Sequence, residues 1–79
     1  MINCIIVDDE PLARQLIASY INELSELHLI GSYESAAEAF IILHNQQIDV
    51  MFLDIEMPGI NGINFVKSLK RHPKIIFVS

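Results

Sequence analysis

Two apolar runs in this chain end in acid, and that repeated junction restricts the possible folds more than any other feature. Cys4-Ile5-Ile6-Val7 runs straight into Asp8-Asp9-Glu10, and Val50-Met51-Phe52-Leu53 runs straight into Asp54. Each run is short and uninterrupted, as a strand buried on both faces should be. Pro11 follows the first junction, and Pro58-Gly59 and Asn61-Gly62 follow the second, so each strand delivers its carboxylates to a turn. If the two strands lie side by side and parallel, Asp8, Asp9 and Asp54 emerge at one edge of the sheet. Carboxylates gathered in one crevice repel. They are relieved by raised proton affinities, by a bound hard cation such as Mg2+, or by both.

Between and beyond the junctions, strand and helix alternate. Pro11 opens a helix to about Leu24, with Ala13, Leu16, Ile17, Tyr20 and Leu24 at helical spacing. Leu29 to Ser32 is a short, weaker strand containing Gly31, which suits an edge. Ser35 with Glu38 three residues on is a capping-box pattern, and Ala36, Ala39, Phe40 and Leu43 form the inward stripe of a second helix. Ile41 and Ile42 fall off that stripe; scattered exposed apolar side chains are ordinary on a helix flank, and contact with a partner is the less favoured reading. A third helix carries Gly62, Phe65, Val66 and Leu69 on one stripe and ends at Pro73. The run from Lys74 to Ser79 is a fourth strand.

This alternation predicts an α/β fold, a doubly wound parallel sheet with right-handed crossovers. Strands one, three and four are apolar on both faces and belong inside, whereas strand two belongs outside. An order of 2-1-3-4 satisfies both conditions. It puts the topological switch between strands one and three, where open α/β sheets bind their ligands and where the acids converge.

At 79 residues the chain is at most one small domain, yet 52% of it is hydrophobic, above the roughly 45–50% usual for globular chains. No apolar run approaches the roughly 18 residues of a membrane span, no signal peptide precedes the first strand, and the lone Cys4 lies inside a strand. A cytoplasmic protein with a core cysteine is expected. The net charge of −5 argues against nucleic-acid binding by this segment. Arg14 is the only basic residue before Lys67, while Lys67, Lys70, Arg71 and Lys74 crowd the end, read as the solvated face and last turn of the third helix.

The residues around both junctions resemble the receiver domain of two-component response regulators. Ile6-Val7-Asp8-Asp9-Glu10-Pro11-Leu12-Ala13-Arg14 is similar to the opening of regulators with a LytTR-type (AlgR-like) DNA-binding output. Leu53-Asp54-Ile55-Glu56-Met57-Pro58-Gly59-Ile60-Asn61-Gly62 resembles the family's phosphoacceptor loop. The resemblance covers the whole chain and implies a flavodoxin-like fold. It implies that Asp54 accepts a phosphoryl group from a sensor histidine kinase. It also implies that Asp8, Asp9, Asp54 and the Glu56 backbone carbonyl form a Mg2+ site, and that the Ser79 hydroxyl contacts the phosphoryl group and reports on it. Pro58 and Gly59 shape the turn, and Gly62 lets the third helix start close to the acceptor.

By the same resemblance, residues 1–79 are the N-terminal two-thirds of a receiver domain, cut after strand four. The fifth strand with its phosphate-pairing Lys, the last two helices and any DNA-binding output would lie beyond. Lys74 cannot replace that Lys, because it begins strand four at the far edge from the acids. The open edge of strand four is expected to drive self-association. On this reading the domain modifies only its own Asp and is not an enzyme.

Two other classes compete. A Mg2+-dependent phosphohydrolase with an aspartyl-phosphate intermediate usually carries a second Asp two residues after the nucleophile, and Glu56 stands there. A phosphorylation-independent interaction module would have no need of the intact acid set. His28, His44 and His72 lack the spacing of metal ligands, and Tyr20 and Tyr33 suit packing or edge positions.

Overall fold

The computed structural model describes residues 1–57 and 60–78. Its elements in chain order are β1 (Ile2–Val7), α1 (Pro11–Asn22), β2 (Leu27–Tyr33), α2 (Ala36–Asn45), β3 (Val50–Asp54), β4 (Glu56–Met57), β5 (Ile60–Asn61), α3 (Gly62–Ser68) and β6 (Lys74–Val78). Four of the strands form one sheet of order β2-β1-β3-β6 with every pairing parallel. With β6 as the fourth main strand, this is the expected 2-1-3-4 order.

The core follows from alternation along the two central strands. Ile5, Val7, Met51 and Leu53 face one side of the sheet and pack with Ala36 and Ala39 of α2 and Phe65 of α3. Cys4 and Ile6 face the other side and pack with Ile21 of α1, flanked by Val50 and Phe52. Helices therefore cover both faces, as a parallel sheet requires. Cys4 is fully buried, as expected for a core thiol.

Several local expectations are corrected. β2 is longer than Leu29 to Ser32, running from Leu27 to Tyr33, and it is the edge strand expected. It pairs with β1 through an irregularity at Cys4/Ile5, and the Tyr33 ring lies over Gly31, where a β-carbon would come within 2.6 Å of its hydroxyl. α1 stops at Asn22, and its buried residue is Ile21, whereas Leu16, Tyr20 and Leu24 are all more than half exposed. Among the described residues their side of the sheet is covered by α1 alone, and an apolar hollow of about 320 Å3 remains between Ile17, Tyr20 and Leu24 on one side and Phe52, Ile76 and Val78 on the other.

On α2, Ser35 caps as expected: its Oγ accepts the Glu38 N–H at 3.2 Å, while the Glu38 carboxylate accepts the Glu34 N–H at 3.1 Å. Phe40, assigned to the inward stripe, is exposed and lies against His44 with ring centroids 4.3 Å apart. Ile42, assigned to the flank, packs on the core instead, and only Ile41 stands out. α3 ends at Ser68, well before Pro73, so Lys70 and Arg71 lie on the connection to β6 and only Lys67 is in the last turn. The β4–β5 hairpin, Glu56 opposite Asn61, was not anticipated.

Candidate functional site

The acids meet because β1 and β3 are neighbours in register. Val7 pairs with Leu53, so the residues that follow them, Asp8 and Asp54, leave the sheet at the same height. One ligand oxygen from each of Asp8, Asp9 and Asp54 falls within 4.8 Å of the others. This is the switch point of the sheet, with β1 running outward toward β2 and β3 toward β6.

Asp8 is 4% exposed, and its surroundings explain how a carboxylate is tolerated there. Its Oδ1 accepts the Glu10 N–H at 2.9 Å, and its own N–H donates to the Tyr33 carbonyl at 3.0 Å. The Arg14 guanidinium donates to the Asp8 carbonyl oxygen at 2.7 Å, pinning the turn from the first coil of α1. Arg14 escaped the sequence reading. The available signal was its isolation as the only cation before Lys67. Asp9 is exposed beside Asp8 and open to solvent.

Asp54 is the last residue of β3, not the first of the loop, so the strand fixes its backbone. Its Oδ1 accepts the Glu56 N–H at 3.2 Å. Burial pushes the Asp54 carboxyl above its usual range, the Glu56 N–H pulls it down, and the charges of Asp8 and Asp9 raise it again. The crevice therefore stores repulsion that a cation would relieve. An all-oxygen donor set with one solvent-facing member fits a hard divalent ion that keeps some of its water.

The Gly62 N–H donates to the Ile55 carbonyl, and the Asn61 side chain accepts the Ile63 N–H at 2.8 Å, starting α3. Glu56 follows β3 as the first residue of β4, two positions after Asp54. Lys74 pairs with Val50 at the opposite end of β3 from Asp54, which agrees with the expectation that it does not serve the acids. Pro58, Gly59 and Ser79 lie outside the described residues. None of the three histidines joins the acidic group among the described residues.

A parallel sheet of this order, with a carboxylate crevice at its switch point, defines a doubly wound α/β domain, a class whose ligands bind at the strand ends. The model of the response regulator receiver domain matches residues 4–79, and the chain belongs to that family. It is 40% identical over 81 residues to the transcriptional regulatory protein BtsR of Escherichia coli strain K12, covering 100% of this chain and 34% of BtsR. It is also 41% identical over 70 residues to a protein-glutamate methylesterase/protein-glutamine glutaminase of Vibrio vulnificus, covering 87% of this chain and 20% of that protein. Among solved structures, the MaeR response regulator bound to beryllium trifluoride superposes with a TM-score of 0.91 at 30% identity, covering 99% of this chain and 66% of MaeR. The chain thus spans about a third of the length of BtsR. No helix among the described residues is long and apolar enough to cross a membrane.

Proposed function

We propose that this chain is the phosphoacceptor unit of a two-component regulator, taking a phosphoryl group on Asp54 from a sensor histidine kinase in the cytoplasm. The observation that carries this reading is the convergence of Asp8, Asp9 and Asp54, with oxygens within 4.8 Å, at the switch point of a receiver sheet. Support also comes from MaeR, which was solved with beryllium trifluoride, an anion of phosphoryl-like shape and charge.

In this mechanism an Asp54 carboxylate oxygen attacks the phosphorus of a phosphohistidine or small phosphoanhydride. The P–N or P–O bond to the donor breaks, and its electron pair leaves with the donor. The Glu56 N–H holds Oδ1 of the nucleophile and fixes the plane of its carboxylate. Asp8, itself held by Glu10 and Arg14, Asp9, Asp54 and the Glu56 carbonyl would hold Mg2+. When bound, the ion supplies neutralising charge to the oxygens of the transferred group. The Ser79 hydroxyl would contact that group. Water later hydrolyses the acyl phosphate, so the modification is a reversible signal and the domain does not turn over a substrate.

The downstream response would be transcription through a DNA-binding output of LytTR type. The likeness to BtsR, a transcriptional regulatory protein, and the Ile6–Arg14 opening favour it. Incubation with acetyl phosphate and Mg2+ tests the chemistry by intact mass on a longer chain that carries the phosphate-pairing Lys, with residues 1–79 alone expected to react poorly. A gain of one phosphoryl group, released by hydroxylamine and absent in Asp54→Ala, is expected. Labelling that persists in Asp54→Ala would remove Asp54 from this role.

A further inference from the structure

Charge in this chain is segregated in a way the acidic crevice does not explain. All ten acidic residues lie outside segments 39–48 and 57–79, whereas four of the five basic residues and two of the three histidines lie within them. The fold brings these two segments together. The C-terminal half of α2 and the connection from α3 to β6 enclose a groove of about 590 Å3, with Phe40, Leu43 and Leu69 as its apolar floor and His44, Lys70 and Arg71 on its rim. A second hollow of about 320 Å3 shares Leu43 and Arg71 and continues past His72 and Pro73.

Local compensation does not account for this much positive charge. The C-terminal ends of α2 and α3 reach the groove, and each presents about half a unit of negative charge, which a single cation offsets. Lys70 and Arg71 are both exposed on the groove's rim, and Lys67 is exposed nearby on the last turn of α3. Phe40 is 45% exposed and in tilted ring contact with His44, a large apolar surface beside Lys70 and Arg71 on an acidic protein.

We propose that this groove docks an extended acidic peptide segment of a partner protein, one that carries an aromatic or aliphatic side chain among its carboxylates. The rim supplies complementary charge and the floor seats the apolar anchor. A nucleic acid offers bases to stack on Phe40, but as a dense polyanion it meets the net charge of −5 more strongly than a short acidic peptide does. The groove sits where the strands begin, beside the Val50–Lys74 pairing, and the acids sit where they end. Docking is therefore independent of the phosphoacceptor reading.

The test uses the 79-residue chain and a fluorescent synthetic peptide with a Leu-Trp pair flanked by Asp and Glu residues. The comparison probes are the same peptide with Ser-Ser at its centre, a thymidine oligonucleotide and phosphatidylglycerol vesicles. Saturable anisotropy is expected for the first peptide, weakening with salt and falling by at least about tenfold in Lys70→Glu/Arg71→Glu and with the Ser-Ser peptide. Lys70→Gln/Arg71→Gln should shift affinity in the same direction and serves if the charge reversal does not fold. Affinity unchanged in both double variants, no saturable binding of the peptide, or tighter binding of the oligonucleotide or vesicles would each overturn the proposal.

Discussion

Gly62 stands directly against the backbone of Asp54: a β-carbon at position 62 would lie 2.5 Å from the Asp54 carbonyl oxygen and 3.0 Å from the Ile55 α-carbon. The obstacle is main chain at the end of a central strand, which has little room to retreat. Gly62→Ala should therefore cost about 1–3 kcal/mol of stability, as overpacking does, and should also displace Asp54, the proposed acceptor. Urea unfolding, together with the Asp54 phosphorylation rate, checks this. Unchanged values for both would mean that the turn yields freely.

The raised Asp54 carboxyl makes the metal-free fold sensitive to pH. Because burial, then Asp8 and Asp9, hold its folded value above the unfolded one, ionised Asp54 works against folding. That cost is absent in acid below the ordinary carboxylate range, where both states are protonated. It is complete above the raised folded value. In chelator, Asp54→Asn should stabilise the protein at neutral pH and lose that advantage as the pH falls. A benefit of equal size at every pH would point to a cause other than charge.

Removing one acid from the crevice should weaken its hold on a cation. Asp9→Asn deletes the exposed member of the group and is expected to reduce Mg2+ affinity by at least about tenfold. Calorimetric titration of wild type and variant decides the matter, and identical affinities would exclude Asp9 as a ligand.

The corrected face of α1 makes a paired prediction. Ile21 is 2% exposed and Leu16 is 54% exposed. Ile21→Ala should cost about 2–5 kcal/mol, and Leu16→Ala less than about 1 kcal/mol. Thermal or urea midpoints in the reverse order would restore the face anticipated from periodicity.

Association should depend on β6. Its pairing partner is β3, its other side is an edge among the described residues, and Ile76 and Phe77 are each more than two-fifths exposed. Such an edge is a template for another strand. Sedimentation of the chain should show concentration-dependent self-association that Phe77→Lys suppresses. A strict monomer across the range would show that the edge is protected.

The sequence by itself determined the sheet order, because run length, the absence of polar interruption and the weaker composition around Gly31 are local properties that reveal which strands are central. It also marked the acids. A buried run that stops at Asp8 or Asp54 must expose that residue at a strand end, and parallel pairing leaves one end for both. Helix faces and limits were decided by tertiary packing. Leu16, Tyr20 and Leu24 have the spacing of a buried stripe, but whether a stripe is covered depends on what the fold sets against it, and among the described residues only α1 lies over Phe52 and Ile76. The bond from Arg14 to the Asp8 carbonyl, the approach of Gly62 to Asp54 and the gathering of cations around Phe40 were likewise beyond sequence, since each joins atoms brought near only by the fold.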